Sequence, residues 1–339
     1  MRFSAESRLD KSASEGPILS DSAVPSVCPV LSVIIVTYNS SDVVTDCLYA
    51  LAPSFEDSIE VIVVDNASSD GTAELVEREF PSVSVIRSPE NGGFAGGVEI
   101  GVSHAHGTAL CLLNPDAVAE RATLLELAKR LRIDESLGIV APVIRQPEGR
   151  LQILSAGYIP STWRMFTHYS GLSRLGRHAR WLEGHYLLPA QATAARDVDW
   201  VTGACLVISP DAWDRIGGIS RRWFMYAEDV ELCWRMWRHG YRVRLFPDLE
   251  VTHLVGASAT GHEKMVNSAW VTNLYDFYAK DIAENGLQRF SWRIIVSVGL
   301  ISRSVVYGIR GRGGRRQWRR ESYRFRVHSL AVLRGGGNT

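Results

Sequence analysis

Five short apolar runs constrain this chain more than any other feature: residues 30–36, 59–64, 83–86, 110–113 and 139–143, separated by segments of helical spacing. Apolar runs this brief, the first of them dense in β-branched residues, read as buried strands. Strand–helix alternation of this kind predicts a parallel sheet with right-handed crossovers. Three runs end in polar turns: Thr37-Tyr38-Asn39, Asp65-Asn66-Ala67-Ser68-Ser69-Asp70-Gly71-Thr72 and Asn114-Pro115-Asp116. Proline donates nothing to a ladder, so the fourth strand stops there and leaves Asp116 at its carboxyl end. That edge of an open α/β sheet is where ligands bind. The three turns together suit a nucleotide. Thr37 and Asp65 can hydrogen-bond a base or ribose, and Asp116 can reach a diphosphate through a divalent cation. The plainer alternative for Asp116 is a strand-to-helix turn. An Asx-turn with a helix cap accounts for Asp70 and Thr72, but less well for Asp65, which directly ends a buried run. The glycine-rich stretch from Asn91 through Gly93 to Gly97 matches neither the dinucleotide fingerprint nor a P-loop, so close backbone packing is an equal reading.

The second half is less regular. Residues 146–197 scatter Trp163, Met165, Phe166, Tyr169, Trp181 and Tyr186 among Gly, Arg and His. Such a segment forms either a binding loop or an irregular subdomain with a small core. Residues 199–208 read as a strand pair or bulged strand in which Gly203 permits close approach of a ligand. A helix follows over 210–216. Another starts at Glu228 and carries Val230, Cys233, Trp234 and Trp237 on one face. Glu228 and Asp229 therefore occupy its first turn. Acids there complement the helix dipole, or present a carboxylate that can take a proton from a hydroxyl. His253 follows strand-like runs at 242–246 and 250–251. As a neutral imidazole it can complete the site of a metal such as Mn2+.

Charge is unevenly distributed. The 339 residues carry no formal net charge, yet residues 287–339 hold twelve Arg, no Lys and one acid, Glu321. The preceding residues hold 25 basic against 36 acidic side chains. A basic tail on an acidic body suggests an anionic partner. The apolar run 290–309 is broken by Arg293 and Arg303, which suits an interfacial helix better than a membrane span. A helical hairpin packed on the domain or on another subunit is the alternative. No nucleic-acid recognition motif accompanies the charge, so nucleic acid is not an expected partner. Five cysteines without metal-like spacing read as buried free thiols of a reducing compartment. Residues 1–29 show no periodicity and no signal-peptide core, and read as a disordered lead-in to a cytosolic protein.

Taken in order, these motifs resemble the inverting, GT-A-fold glycosyltransferases of family 2, above all their rhamnosyltransferase-like branch. The residues that carry the resemblance are Val33–Asn39, Val64–Thr72, Asn91–Gly97, Leu113–Asp116, Trp200–Cys205, Phe224–Cys233 and His253. The fold implied is α/β: a mainly parallel, Rossmann-like sheet flanked by helices, with a basic helical extension. The implied organisation is a catalytic domain over 30–258, divided into a nucleotide-sugar half (30–145) and an acceptor half (146–258), then the extension over 259–339. The resemblance implies a nucleoside-diphosphate-sugar donor contacted by Thr37, Tyr38, Asn39, Asp65, Asn66, Gly93, Asn114 and Asp116. It implies Mg2+ or Mn2+ on Asp116 and His253, with Asp229 as general base, Glu228 orienting the site, and Trp200 and Gly203 bordering the acceptor. The implied acceptor is a glycan or polyprenyl-linked hydroxyl in envelope polysaccharide synthesis, with rhamnose as the sugar. Residence is at the inner face of the plasma membrane, with 287–339 against anionic lipid and a second copy as a further partner. Two departures stand out: Asn114 replaces the first carboxylate of the Asp-x-Asp motif, and Val98-Glu99 follow the glycines where the branch commonly has Asn. A catalytically silent nucleotide-sugar-binding scaffold is the alternative from another class. Sugar nucleotidyl transfer lacks its glycine-, Arg- and Lys-based signature here.

Overall fold

A computed structural model describes residues 29–51, 58–152, 155–254, 266–313 and 315–335. The expected lead-in, Pro29 apart, lies outside the described residues, as does Cys28. The alternation read from the first half is present. β1 (Leu31–Thr37), β2 (Ile59–Asp65), β3 (Ser84–Arg87) and β4 (Leu110–Leu113) are joined through α1 (Val44–Leu51), α2 (Thr72–Glu79) and α3 (Gly93–Ser103). These four strands are parallel in the order β3-β2-β1-β4. After β4 come the two-residue β5 (Ala117–Val118), α4 (Arg121–Ile133) and β6 (Leu137–Arg145).

The sheet departs from simple alternation between β4 and β6. The crossover through α4 skips one strand position, and β10 (Cys205–Ile208) fills it, antiparallel to both neighbours. Its four residues are all buried and apolar, as a strand covered on both faces requires. Between β6 and β10 lie β7 (Ala156–Gly157), α5 (Thr162–Ser170), β8 (Arg196–Asp197) and β9 (Trp200–Val201). This aromatic-rich segment is irregular, and its buried residues, among them Met165, Tyr186 and Trp200, join the same core as β6 and β10. Beyond β10, α6 (Pro210–Ile216) and α7 (Glu228–Arg238) lead to β11 (Arg242–His253). The two runs expected at 242–246 and 250–251 are one strand, parallel to β6, with a bulge between Phe246 and Glu250.

Close packing accounts for part of the glycine-rich stretch. A side chain on Gly97 would overlap Val36, and one on Gly101 would overlap Ile34, so α3 lies directly on β1. Gly93 has φ +74° and sits against the Phe224 carbonyl, which excludes any Cβ. Among the described residues Cys47, Cys111, Cys205 and Cys233 are buried and free, as expected.

The chain closes with α8 (Ala269–Phe277), a π-helical turn (Tyr278–Ile282), α9 (Gly286–Arg310) and α10 (Arg316–Leu333). Trp292 anchors α9 to the body: it is fully buried, stacks on Tyr278 and donates its indole N–H to the Pro160 carbonyl at 2.7 Å. The α9–α10 seam is built on small residues, with Ser297 and Ser329 each donating to the other's backbone carbonyl.

Gly101 tests the packing of α3. Gly101→Val forces a branched side chain into Ile34 and Val64. Thermal unfolding should show a loss of about 1–3 kcal/mol, the usual cost of overpacking.

Candidate functional site

Three corners of the carboxyl edge carry the expected residues. At the first, β1 and β2 end side by side. Thr37 donates to Asp65 Oδ1 at 3.1 Å, and the Ser68 N–H donates to Asp65 Oδ2 at 3.0 Å, so both oxygens of this buried carboxylate are held. Asn39, at φ +49°, accepts the Ser69 N–H at 2.8 Å and clasps the two turns together, while Tyr38 stands exposed. Asp70 accepts the Thr72 and Ser41 N–H groups, the turn role read for it from sequence, while the N-cap of α2 is Gly71 and has no side-chain cap. Asn66 donates to the Gly93 carbonyl at 2.9 Å and leaves its own buried Oδ1 without a partner. An unpartnered buried acceptor facing a ligand edge is available to a ligand donor.

The second corner follows β4. Asp116 and His253 are both buried, and His253 Nε2 lies 2.9 Å from Asp116 Oδ1. Gln152 Oε1 lies 3.2 Å from Nδ1 of the same ring, and Asn114 Nδ2 lies 3.3 Å from Nε2. An amide oxygen only accepts, so Nδ1 is the donor to Gln152, and Nε2 is the ring nitrogen turned to the Asp116 carboxylate. An oxygen and a nitrogen donor side by side, with the imidazole oriented by a second carbonyl, fit a divalent cation. Among the described residues no third His, Cys, Asp or Glu joins them. The remaining ligands would come from phosphate and water, as is usual for Mg2+.

At the third corner α7 begins. Tyr226 and Ala227 both have positive φ, 72° and 77°, a strained turn for residues with a Cβ. It presents Asp229 so that Oδ2 accepts the Gly203 N–H at 3.2 Å and Oδ1 accepts the Val230 N–H at 2.8 Å. Burial raises the Asp229 carboxyl above the usual carboxylate range, against these hydrogen bonds. Glu228 is buried, with Oε2 unpartnered, and burial followed by the Asp229 charge pushes it up to about 8. Trp200 is buried behind this corner, its N–H donated to the Tyr158 carbonyl.

Backbone joins the corners. The Asn114 N–H donates to the Ala204 carbonyl at 3.0 Å, which ties Asp116 to the Gly203–Asp229 contact. The Phe94 N–H donates to the Phe224 carbonyl, which ties Gly93 and Asn66 to the turn before Glu228.

Comparison with known proteins decides the family. The glycosyl transferase family 2 model matches residues 32–200, and the glycosyl transferase family group 2 model matches residues 134–330. The chain belongs to the family 2 glycosyltransferases. It is 28% identical over 238 residues to an N-acetylglucosaminyl-diphospho-decaprenol L-rhamnosyltransferase of Mycobacterium tuberculosis, spanning 66% of this chain and 76% of that protein. A low-salt glycan biosynthesis hexosyltransferase of Haloferax volcanii is 25% identical over 217 residues, 63% of each chain. A mannosyltransferase of Pyrobaculum calidifontis, solved with GDP-Man and Mn2+, superposes with a TM-score of 0.55 at 19% identity, covering 91% of this chain and 86% of that one. That last likeness is one of fold, and the fold is GT-A.

Residues beyond the expected set border the candidate site. Gln152 orients His253, but its position in an irregular segment gave no signal. Phe94 packs beside Gly203 and lies within a motif already singled out for its glycines. Tyr186 is a buried phenol whose ionisation is opposed first by burial and further by the charges of Tyr169 and Asp229.

Glu228 makes stability depend on pH. Its ordinary value is near 4.5, so the folded chain holds this proton to higher pH than the unfolded chain. Folding therefore weakens as pH rises from about 4.5 to about 8, by up to about 1.4 kcal/mol per unit. Urea titrations of Glu228→Gln should show a stability gain over the parent that grows across this window. A constant difference at every pH would contradict the buried-proton assignment.

Proposed function

We propose that this glycosyltransferase moves a sugar from a nucleoside-diphosphate-sugar to a hydroxyl of a glycan or lipid-linked acceptor in cell-envelope polysaccharide synthesis. Rhamnose is the sugar to test first, because the Mycobacterium tuberculosis relative carries that activity in its name. Residues 30–145 take the donor, 146–258 the acceptor, and 259–339 support the enzyme at the inner face of the plasma membrane. One observation carries the reading. Asp229 is fixed by the Gly203 N–H, and a single backbone hydrogen bond, Asn114 to Ala204, separates that contact from the Asp116–His253 pair.

A sugar hydroxyl is a weak nucleophile at neutral pH, and a positioned carboxylate that accepts its proton speeds attack. Asp229 suits that role. Both its oxygens are oriented by backbone N–H groups, and burial makes it a stronger base than a solvated Asp. Glu228, protonated near neutrality, leaves the pair with one negative charge and keeps the site oriented. Thr37 and Asp65, braced against each other, hold the nucleoside with Tyr38 and Asn39, while Asn66 and Gly93 line the donor. Asp116 and His253 would hold Mg2+ or Mn2+, with Asn114 donating to the donor or to His253. When bound, such an ion supplies positive charge for the departing diphosphate. Attack by the hydroxyl opposite that leaving group inverts the anomeric centre, and no second nucleophilic carboxylate is needed. Gly203 and Trp200 form the floor and back of the acceptor side.

Asp229→Asn should keep donor affinity, measured by calorimetry with UDP-, GDP- and dTDP-sugars, while transfer falls roughly 10²–10⁴-fold. Near-parent turnover would remove Asp229 as the base. Asp116→Ala and His253→Ala should weaken donor binding about tenfold or more when Mn2+ is present. With a chelator present they should match the parent. Equal loss in both conditions would assign the pair a structural role instead.

A further inference from the structure

We propose that the outer face of α9, with the arginines around its ends, docks this enzyme on an anionic lipid surface. The proposal deepens the envelope-glycan reading by naming the face that meets the membrane. Its test needs no sugar transfer, so either reading can fail alone.

α9 has two apolar faces. The inner one is fixed in the body: Trp292, Val296 and Leu300 are fully buried, Gly299 lies against the Tyr169 ring, and Arg303 reaches His168 at 2.9 Å. The outer one is a single stripe. Phe290, Ile294, Val298, Ile301, Val305 and Ile309 recur at intervals of three or four residues and are 38–59% exposed. At 1.5 Å per residue the stripe runs for about 28 Å. An unbroken apolar strip of this length on a folded surface marks a contact face.

Charge selects the occupant. Arg289 stands exposed near one end of the stripe, and Arg310, Arg312, Arg315, Arg316 and Arg319 stand exposed near the other. Residues 287–339 contain no acid except Glu321, which pairs with Arg324. A second copy laid on this face would bring arginines to arginines. A nucleic acid would satisfy the arginines and leave the stripe in contact with a polar backbone. An anionic bilayer satisfies both, with the apolar side chains at the acyl boundary and the guanidinium groups among the headgroups.

By length and composition alone, Gly286–Gly313 is apolar enough to cross a membrane. Its inner face, however, is part of the same core as β6 and α7, so the helix lies on a bilayer rather than through it. α5, packed along α9, leaves Trp163 and Phe166 exposed, with Trp181 stacked on Trp163 at 5.7 Å. Indole rings of this kind favour the headgroup level.

The test is co-sedimentation of the full chain with vesicles of phosphatidylcholine alone or mixed with phosphatidylglycerol. The parent should bind the mixed vesicles, more weakly as salt rises, and leave the neutral ones in solution. The double variant Val298→Glu, Val305→Glu should bind roughly tenfold or more weakly, with circular dichroism and melting unchanged. The triple variant Arg315→Gln, Arg316→Gln, Arg319→Gln should lose roughly a hundredfold. The proposal is overturned if the parent ignores phosphatidylglycerol, or if the glutamate variant binds as the parent does. It is also overturned if light scattering finds a parent dimer that the glutamates split, or if duplex DNA is bound and vesicles are not.

Discussion

The pairing of β4 with β10 is the contact on which the rest depends. Because β10 runs antiparallel, its first residue, Cys205, stands opposite Leu113, the last of β4. The chain entering β10 therefore passes the ligand edge, and Gly203 arrives beside Asp229 while Ala204 takes the Asn114 N–H. Were β10 parallel, the same sequence would put Gly203 at the opposite end of the sheet. The strand is buried throughout, so a broken ladder bond there leaves a donor or acceptor unsatisfied, at a cost of about 1–3 kcal/mol.

The start of α7 is where stability is given up. Two consecutive residues with side chains take left-handed φ values, a buried carboxyl oxygen has no partner, and two acids lie side by side. Each of these is unfavourable alone. They coincide at one turn, and the tightly packed glycines of α3 and the buried β10 hold the surrounding frame in place. Local rules broken together in an otherwise consistent fold mark where a functional or strained site is expected.

Much of this was legible in the sequence. Short apolar runs of four to seven residues gave the first four strands, and Asn114-Pro115-Asp116 marked where β4 stops. Asp70 read correctly as a turn acceptor, because its chemistry is local, whereas Thr72 opens α2 behind Gly71 and accepts the distant Ser40 N–H instead of capping. The antiparallel insertion of β10 was not legible: a short apolar run carries no sign of its direction or of which gap it fills. Nor was Gln152, whose contact with His253 spans 101 positions. The glycines of α3 were ambiguous, since close packing and phosphate approach require the same missing side chain. Gly97 and Gly101 serve the first.

β11 carries one more consequence. Between Phe246 and Glu250 it advances four residues while β6 advances one, from Pro142 to Val143, and Arg130 clamps the excess through Asp248 and the Phe246 ring. The strand therefore enters and leaves the bulge in two different registers with β6. His253 is held from several sides: Asp116 and Gln152 lie against its ring, Ala117 pairs with it across the ladder, and Val251 and Thr252 before it stay paired with Ile144 and Arg145. The slack at Pro247, Asp248 and Leu249 lets β11 change its register on β6 and still deliver the imidazole to the carboxyl edge.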